Sequence, residues 1–387
     1  MEVFLAFLKL GVTSFGGPIA HIGYFRAEFV ERRKWLSERA YVDLVALSQF
    51  LPGPASSQTG FGIGLMRGGY LGGLAAWVGF TAPSAILMVL FAYGAGSIAD
   101  SPTGAALLHG LKLVAVAIVA QAVLGMARSL SPDRERASIA ALALILMLLV
   151  PGSLSQIGTI VFGGIAGIFV CRAGTETAPD SIAIPVSRGV AFICLFVALV
   201  LLGVAFVPAR GVPALFDAFY RSGALVFGGG HVVLPLLRDA VVAPGWVSDS
   251  SFLAGYGAAQ AVPGPLFTFA AYLGAVAGVP PGGVWGAAIA LVAIFLPGLL
   301  CLMGTLPFWH ALRVRPNAQA AMRGTNAAVV GLLGAALYNP VWTSAVQTPA
   351  DFAVAAAGFV LLIAWRAPPL LVVVLSAIAG IAIGTAT

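Results

Sequence analysis

Two stretches of this sequence interrupt apolar runs with the same residues. SFGGPIAH spans Ser14 to His21 and VFGGGHVV spans Val226 to Val233. Each is followed by a PGP triplet, Pro52-Gly53-Pro54 in one case and Pro263-Gly264-Pro265 in the other. A helix broken inside an apolar environment frees backbone N–H groups at the start of the next half-helix, where the helix dipole favours an anion. Proline suits a first helical turn because its missing N–H would be an orphan there anyway, and glycine lets the backbone approach a ligand. New half-helices are expected near Ile19, Ala55, His231 and Leu266, so that four N-termini can converge on one anion. The candidate anion pathway begins with Phe15, Gly16, Gly17, Pro18 and His21, and with Phe227, Gly228, Gly229, Gly230 and His231. The two PGP triplets complete it, together with Gln49 and Gln260, which precede them at the same distance.

The cations near these breaks carry two readings each. Arg26 and Arg238 follow the breaks by roughly two helical turns and are candidates for attracting the anion, while Glu28 and Asp239 stand beside them as ready ion-pair partners. Lys9 and Arg221 are aligned cations within apolar runs, where an ionisable group is a functional candidate by default; snorkelling to the interface is the structural alternative. The hydroxyls of Ser56 to Thr59 and of Thr268 can donate to oxygens or bond back to their own helix. His21 and His231 differ by two positions in the repeat described below, and each reads as a packed histidine as readily as a ligand. One PGP alone is a kink; paired copies, each after an FGG break, read as pathway lining.

These residues need a membrane-embedded frame. Of 387 residues, 60% are hydrophobic and 9% charged, and mean hydropathy is +1.01, whereas a soluble domain carries about 25% charged residues. The fold class is an all-α integral membrane protein, in which interrupted helices are tolerated only when buried in protein or lining a cavity. The net charge of +6 collects in short loops such as Arg32 to Arg39, Asp133 to Arg136 and Arg313 to Pro316, as membrane-flanking loops do. A nucleic-acid face is thereby excluded. Cys171, Cys194 and Cys301 lie in or beside apolar runs without metal-ligand spacing, so no metal or cofactor is expected. The N-terminus lacks a basic n-region and a small-residue cleavage site, so the first segment is expected to be retained. Thirteen apolar segments follow, at 4–25, 41–66, 70–97, 105–128, 137–150, 155–171, 187–207, 214–237, 251–276, 283–306, 322–338, 351–364 and 368–385.

The segments repeat. Phe15-Gly16-Gly17 recurs 212 positions on as Phe227-Gly228-Gly229, and the same offset carries Lys9 to Arg221, Phe4 to Phe216 and Arg26 to Arg238. With one residue removed the register runs on through Trp35 and Trp246, Ser37 and Ser248, Gln49 and Gln260, and the two PGP triplets. At an offset of 214, Gly68-Gly69 pairs with Gly282-Gly283, Pro83 with Pro297 and Gly110 with Gly324. The chain reads as two homologous halves, 1–172 and 211–387, joined by 173–210, a linker with one extra helix at 187–207. That helix inverts the second half if each half crosses an even number of times. The loop after the first segment carries Arg26, Arg32, Arg33, Lys34 and Arg39, whereas its counterpart carries little beyond Arg238, so the two loops are placed on opposite sides. Treating the broken segments as re-entrant hairpins puts the remaining basic loops together on the cytoplasmic side. Between nine and thirteen segments then cross or enter the membrane, thirteen full spans being the alternative. Inverted repeats with interrupted helices are the pattern of secondary transporters, whose sites lie where the halves meet.

At Phe4 to Ile22, at Trp35, at the Gln49 to Pro54 run and at FGGGHVVLPLL, Trp246 and QAVPGP, the chain resembles the chromate ion transporter family in its long, two-repeat form, over nearly its whole length. The resemblance implies a multi-pass protein of the bacterial or archaeal inner membrane that exports chromate and confers resistance, with sulfate as a competing analogue. Expected partners are chromate or sulfate, the lipid bilayer and, as oligomer, a homodimer. An anion channel or another oxyanion transporter of the same architecture is the alternative. His21, His109, His231 and His310 are scattered and form no nucleophile–base pair or H-E-x-x-H set, so an enzyme is not expected.

Overall fold

The computed structural model describes residues 1–99, 101–150, 153–171, 186–227 and 230–386, and all regular structure among them is helical. Helix α1 (Glu2–Thr13) ends at the first FGG break. Helix α2 (Gly17–Phe25) restarts after it and runs into a π turn at Arg26–Arg32, and α3 (Glu38–Phe50) ends at the first PGP. Helix α4 (Ala55–Ala99) follows and bends at Gly68 and Gly69, whose backbone leaves helical geometry. Then come α5 (Pro102–Leu130), α6 (Arg134–Leu149), α7 (Ser153–Val170) and the separate α8 (Arg188–Val204). Helix α9 (Val212–Ala224) ends at the second FGG break, after which a 3-10 turn (Gly230–Val232) leads into α10 (Val233–Val241). Helix α11 (Asp249–Ala261) ends at the second PGP, followed by a 3-10 turn (Leu266–Thr268) and α12 (Phe269–Val276). Helix α13 (Gly283–Thr305) starts where α4 has its bend, and α14 (Trp309–Arg313), α15 (Pro316–Ala336), α16 (Thr343–Ala345), α17 (Pro349–Ile363) and α18 (Pro369–Ala386) complete the chain. Gly228, Gly229 and the linker at 172–185 lie outside the described residues.

The breaks fall where the glycines and prolines stand, with two adjustments. Helix α2 begins at Gly17 rather than near Ile19, because Gly16 takes a left-handed φ of 100° as N-cap and Pro18 enters the first turn. The segment after the second PGP opens as a 3-10 turn, because both the N–H and the hydroxyl of Thr268 donate to the Pro265 carbonyl. The helices beside the breaks are short: α1 has 12 residues, α3, α9 and α11 have 13 each, and α10 has 9. Thirteen residues rise about 20 Å, against a hydrocarbon core of about 30 Å. Ala55–Gly94, Pro102–Leu130, Gly283–Phe308 and Pro316–Ala345 are long and apolar enough to cross a membrane.

Close backbone contact joins the long helices. A Cβ on Gly110 would strike the Ser376 carbonyl of α18, and one on Gly324 would strike the Gly163 carbonyl of α7. The same holds for Gly223 against Ile294 and for Gly11 against Gly79 and Phe80. Small residues permit this approach, which substitutes for the hydrophobic drive that lipid removes. The second part of α4 and α13 run antiparallel past one another: Trp77 lies 5.7 Å from Phe295, and Tyr93 Oη would lie 3.0 Å from a Cβ on Gly283. Gly324→Val should therefore cost about 1–3 kcal/mol by overpacking, seen as a lower melting temperature in detergent. Gly125→Val, on a face with nothing within 4 Å, should leave it unchanged.

Candidate functional site at the crossed helix breaks

Helices α1 and α9 end at Thr13 and Ala224, so the carbonyls just beyond them have no continuing helix to bond. Each half supplies the other's missing donor. The Gly264 N–H donates to the Ser14 carbonyl at 2.9 Å, and the Gly53 N–H donates to the Val226 carbonyl at 2.8 Å. Ser14 and Val226 stand 212 positions apart in the repeat register and are fully buried. Both glycines are left-handed, with φ of 117° at Gly53 and 94° at Gly264, a conformation glycine adopts without the Cβ penalty. Space is also lacking: a Cβ on Gly53 would meet Gly298 Cα at 2.9 Å, and one on Gly264 would meet Ser84 Oγ at 2.9 Å. Ser84 and Gly298 each follow a helix-interior proline, Pro83 in α4 and Pro297 in α13.

Other predicted residues join this crossing. A Cβ on Gly230 would lie 3.2 Å from Pro18 Cγ, so the two FGG breaks meet each other as well. Gln58 braces the first PGP, its Nε2 donating to the carbonyls of Pro52 and Gly298 at 2.9 Å each. Its Oε1, with Ser14 Oγ, Ser57 Oγ and Thr81 Oγ1, is buried without a partner among the described residues. His21 is fully buried, with Nδ1 3.4 Å from Ser56 Oγ and its ring edge-on to Phe80. His231 places Nδ1 2.7 Å from Tyr256 Oη. Pro54, Pro263 and Pro265 are buried, while Phe15, Phe227, Pro52 and Gln260 are half-buried. The lining is lopsided, because Ser56-Ser57-Gln58-Thr59 after the first PGP is matched by Phe267-Thr268-Phe269-Ala270 after the second.

Helix starts differ by location. Ser37, Ser101, Ser187 and Ser248 cap α3, α5, α8 and α11 with their hydroxyls. The starts after the breaks, at Gly17, Val233 and Leu266, have no side-chain cap, and neither do those at Val212, Gly283 and Pro316.

The two arginines lie elsewhere. Arg26 has a side chain 48% exposed and bonds Glu38 at 2.8 Å as well as Glu31. Arg238 reaches both carboxylate oxygens of Asp249, at 2.8 and 3.1 Å. Glu38 and Asp249 are the first residues of α3 and α11, so the two ion pairs are equivalent and pin each post-break segment to the next helix. Glu28 binds Arg32 and Arg33 instead of Arg26, and Asp239 accepts from Gln156 Nε2 at 2.6 Å. Lys9 and Gln49 are exposed, and Arg221 donates to the Ala205 carbonyl at 3.2 Å with its guanidinium over Phe206. Sequence reasoning missed the accepting carbonyls of Ser14 and Val226, the brace by Gln58, and Gly298. The aligned pairs Pro83-Ser84 and Pro297-Gly298 were the available signal for the last of these.

Among the described residues all regular structure is helical and four helices are apolar and long enough to cross a membrane, as in a membrane protein. The profile described as "Chromate transporter" matches residues 1–168 and 213–381. A chromate transport protein of Pseudomonas aeruginosa is 30% identical over 98% of this chain and 91% of its own length. A probable chromate transport protein of Synechococcus elongatus is 27% identical over 97% and 93%, and a chromate transport protein of Cupriavidus metallidurans is 24% identical over 90% and 84%. No solved structure matches. The chain belongs to the chromate transporter family, and its work is transport rather than catalysis.

Two outcomes follow from this geometry. Gly53→Ala and Gly264→Ala should each reduce chromate flux at least tenfold at equal protein abundance, because the added Cβ breaks the carbonyl exchange. Gly245→Ala, at an equally left-handed φ of 78° but in open space, should retain flux. Burial pushes the Glu28 carboxyl up, but Arg32 and Arg33 outweigh it and hold the group below the ordinary carboxylate range. A depressed carboxylate stabilises above its unfolded pKa, and that stabilisation is lost as pH falls through the folded value. Glu28→Gln should therefore lower the melting temperature at neutral pH, the difference shrinking as pH falls below the ordinary carboxylate range.

Proposed function

We propose that this chain is a secondary transporter exporting chromate across the bacterial inner membrane, thereby conferring chromate resistance, and that sulfate competes for the same site. The observation that carries the reading is the exchange between Gly53 and Val226 and between Gly264 and Ser14. It brings both PGP turns to one buried place with the carbonyls of Ser14 and Val226, beside half-helix starts that lack side-chain caps. Backbone N–H groups at such starts donate to oxyanion oxygens and favour negative charge through the dipole. The unpartnered hydroxyls of Ser14, Ser57 and Thr81 supply further donors. The pathway in this reading comprises both breaks, both triplets and the polar face after Pro54, with Arg26 and Arg238 as braces rather than ligands.

The alternating frame is proposed as two inverted repeats, 1–172 and 211–387, joined by 173–210. The two-part family match supports two repeats. Inversion is supported by the antiparallel packing of the second part of α4 against α13, since these are counterparts in the repeat register. The short helices at the breaks support re-entrant hairpins. On this arrangement Arg33 and Arg366 face the cytoplasm and Gly245 the outside.

Everted vesicles containing the protein should accumulate labelled chromate, with excess sulfate reducing the uptake and nitrate having little effect, since a monovalent ion gains less from the same field. Chloride flux without chromate accumulation would overturn the reading in favour of an anion channel. Topology has its own check in a cysteine-free background. An impermeant thiol reagent applied outside should label Gly245→Cys and spare Arg33→Cys and Arg366→Cys; equal labelling at positions 33 and 245 would sink the inverted arrangement.

A further inference from the structure

Helix α5 carries a cation that its surroundings leave unpaired. Lys112 stands ten residues after Pro102, the first residue of α5, in a helix apolar and long enough to cross a membrane. Ten residues rise on the order of 15 Å, half of a hydrocarbon core of about 30 Å. Lysines that snorkel sit near helix ends, and Lys112 does not. From Gly110 to Val119 every residue of α5 is buried except Lys112, which is half-buried. Protein encloses the helix on all sides at this level, so the exposed part of Lys112 opens into the bundle and not onto lipid. Lys112 lies about 200° round the helix from Gly110, on the side away from the α18 carbonyl that Gly110 abuts.

The ammonium has no hydrogen bond or ion pair among the described residues. The main helices packed on α5 are α11, α15, α17 and α18, and their two carboxylates are Asp249 and Asp351. Both are committed elsewhere. Asp249 engages Arg238. Asp351 is buried, lies 2.7 Å from His109 Nε2 and accepts the N–H groups of Gln347 and Thr348.

Lys112 also lies close to the crossing. A Cβ on Gly257 of α11 would strike the Leu111 carbonyl, next to Lys112. Gly257 stands seven positions before Gly264, whose N–H serves Ser14, and its neighbour Tyr256 places Oη 2.7 Å from His231 Nδ1 after the second break. The offset that pairs Gly110 with Gly324 carries Lys112 to Asn326 of α15, whose Oδ1 is buried without a partner among the described residues. Because α5 packs on α15, a lysine at both positions would set like charges on equivalent faces of two helices in contact. The neutral amide avoids that repulsion and leaves the charge on one side only.

An unpaired ammonium inside a membrane protein is costly, and ionisable groups kept there are functional candidates by default. We infer that Lys112 is a second anion-binding site, a station between the crossing and the membrane face at which α11 begins, and that its ligand is a doubly charged oxyanion. The ammonium offers three N–H donors and a full charge, whereas the crossing offers neutral donors. A dianion leaving the crossing exchanges dipoles for a point charge about two helical turns away. On the proposed topology that face is the outside, which puts the station on the exit side.

The station rests on the oxyanion-transport reading above, and the test separates the two. Full-length Lys112→Cys in a cysteine-free background is reconstituted in proteoliposomes. Chromate flux should fall about tenfold, the order expected when one charge-assisted contact is lost. Aminoethyl methanethiosulfonate, which attaches an ammonium through a disulfide, should restore most of the flux, and the sulfonatoethyl reagent, which attaches an anion, should not. Chromate and sulfate should slow the aminoethyl reaction. If Lys112→Cys does not fold, Lys112→Arg should keep flux while Lys112→Met loses about tenfold, with a melting temperature no lower than wild type because an unpaired charge has been removed. Full flux in Lys112→Cys or Lys112→Met, equal effects of the two reagents, or a lower melting temperature in Lys112→Met overturns the station while chromate transport by the unmutated protein stands. Unmutated protein that moves neither chromate nor sulfate overturns the oxyanion reading and the station with it.

Discussion

A helix interrupted inside a membrane leaves carbonyls and N–H groups that lipid does not satisfy, and every such group must find a partner within the protein. The rest of this structure depends on how two carbonyls meet that requirement. Ser14 and Val226 end the helices before the two FGG breaks, and each receives an N–H from a glycine in the other half. Neither half alone contains the donor it needs. The exchange sets how closely the halves approach, because a Cβ added at either glycine would come within 3 Å of an atom of the other half. It also explains the paired PGP triplets, since proline on each side of a left-handed glycine fixes the turn that aims the donor.

Once both halves are locked at this place, their differences gain meaning. The residues after the first PGP are hydroxylic and amidic, and those after the second are largely aromatic. A crossing lined equally on both sides would hold an anion midway with no bias between the halves. Here the hydroxyls of Ser14, Ser57 and Thr81 are buried without a partner among the described residues of the first half, while Phe267, Phe269 and Tyr256 pack in the second. The duplicated frame supplies backbone geometry, and side chains that broke the duplication supply direction and chemistry.

Much of the frame was legible because glycine and proline report backbone requirements directly. The FGG and PGP positions located the four interruptions around the crossing, Ser37 and Ser248 proved to be equivalent helix caps, and Gly68-Gly69 and Gly282-Gly283 mark equivalent bends and starts. Side-chain partners were less legible, because adjacency in sequence is a poor guide to pairing across a turn. Arg26 stands two residues from Glu28, yet the π turn at Arg26–Arg32 carries it to Glu31 and Glu38, leaving Glu28 to Arg32 and Arg33. Contacts made by carbonyls were not legible at all, since every residue type carries one. Long-range pairs were equally hidden, as with Trp309 Nε1 donating to the buried carboxylate of Asp43 across 266 positions.

The placement of the arginines changes where the attraction for an anion must come from. With Arg26 and Arg238 held by Glu38 and Asp249, the formal charge of each pair is near neutral at a distance, and salt screens what remains. On the proposed reading, attraction at the crossing falls to fixed backbone dipoles and hydroxyls in a water-poor interior, where each is worth more than in solvent. Dipoles of this kind cannot be lost to competing counter-ions, and they relax little when the anion leaves. A lysine or arginine placed there would hold a dianion more tightly and release it more slowly. On the proposed reading, neutral donors at the crossing, with the ion-paired Arg26 and Arg238 set apart from it, are an arrangement that separates binding from trapping.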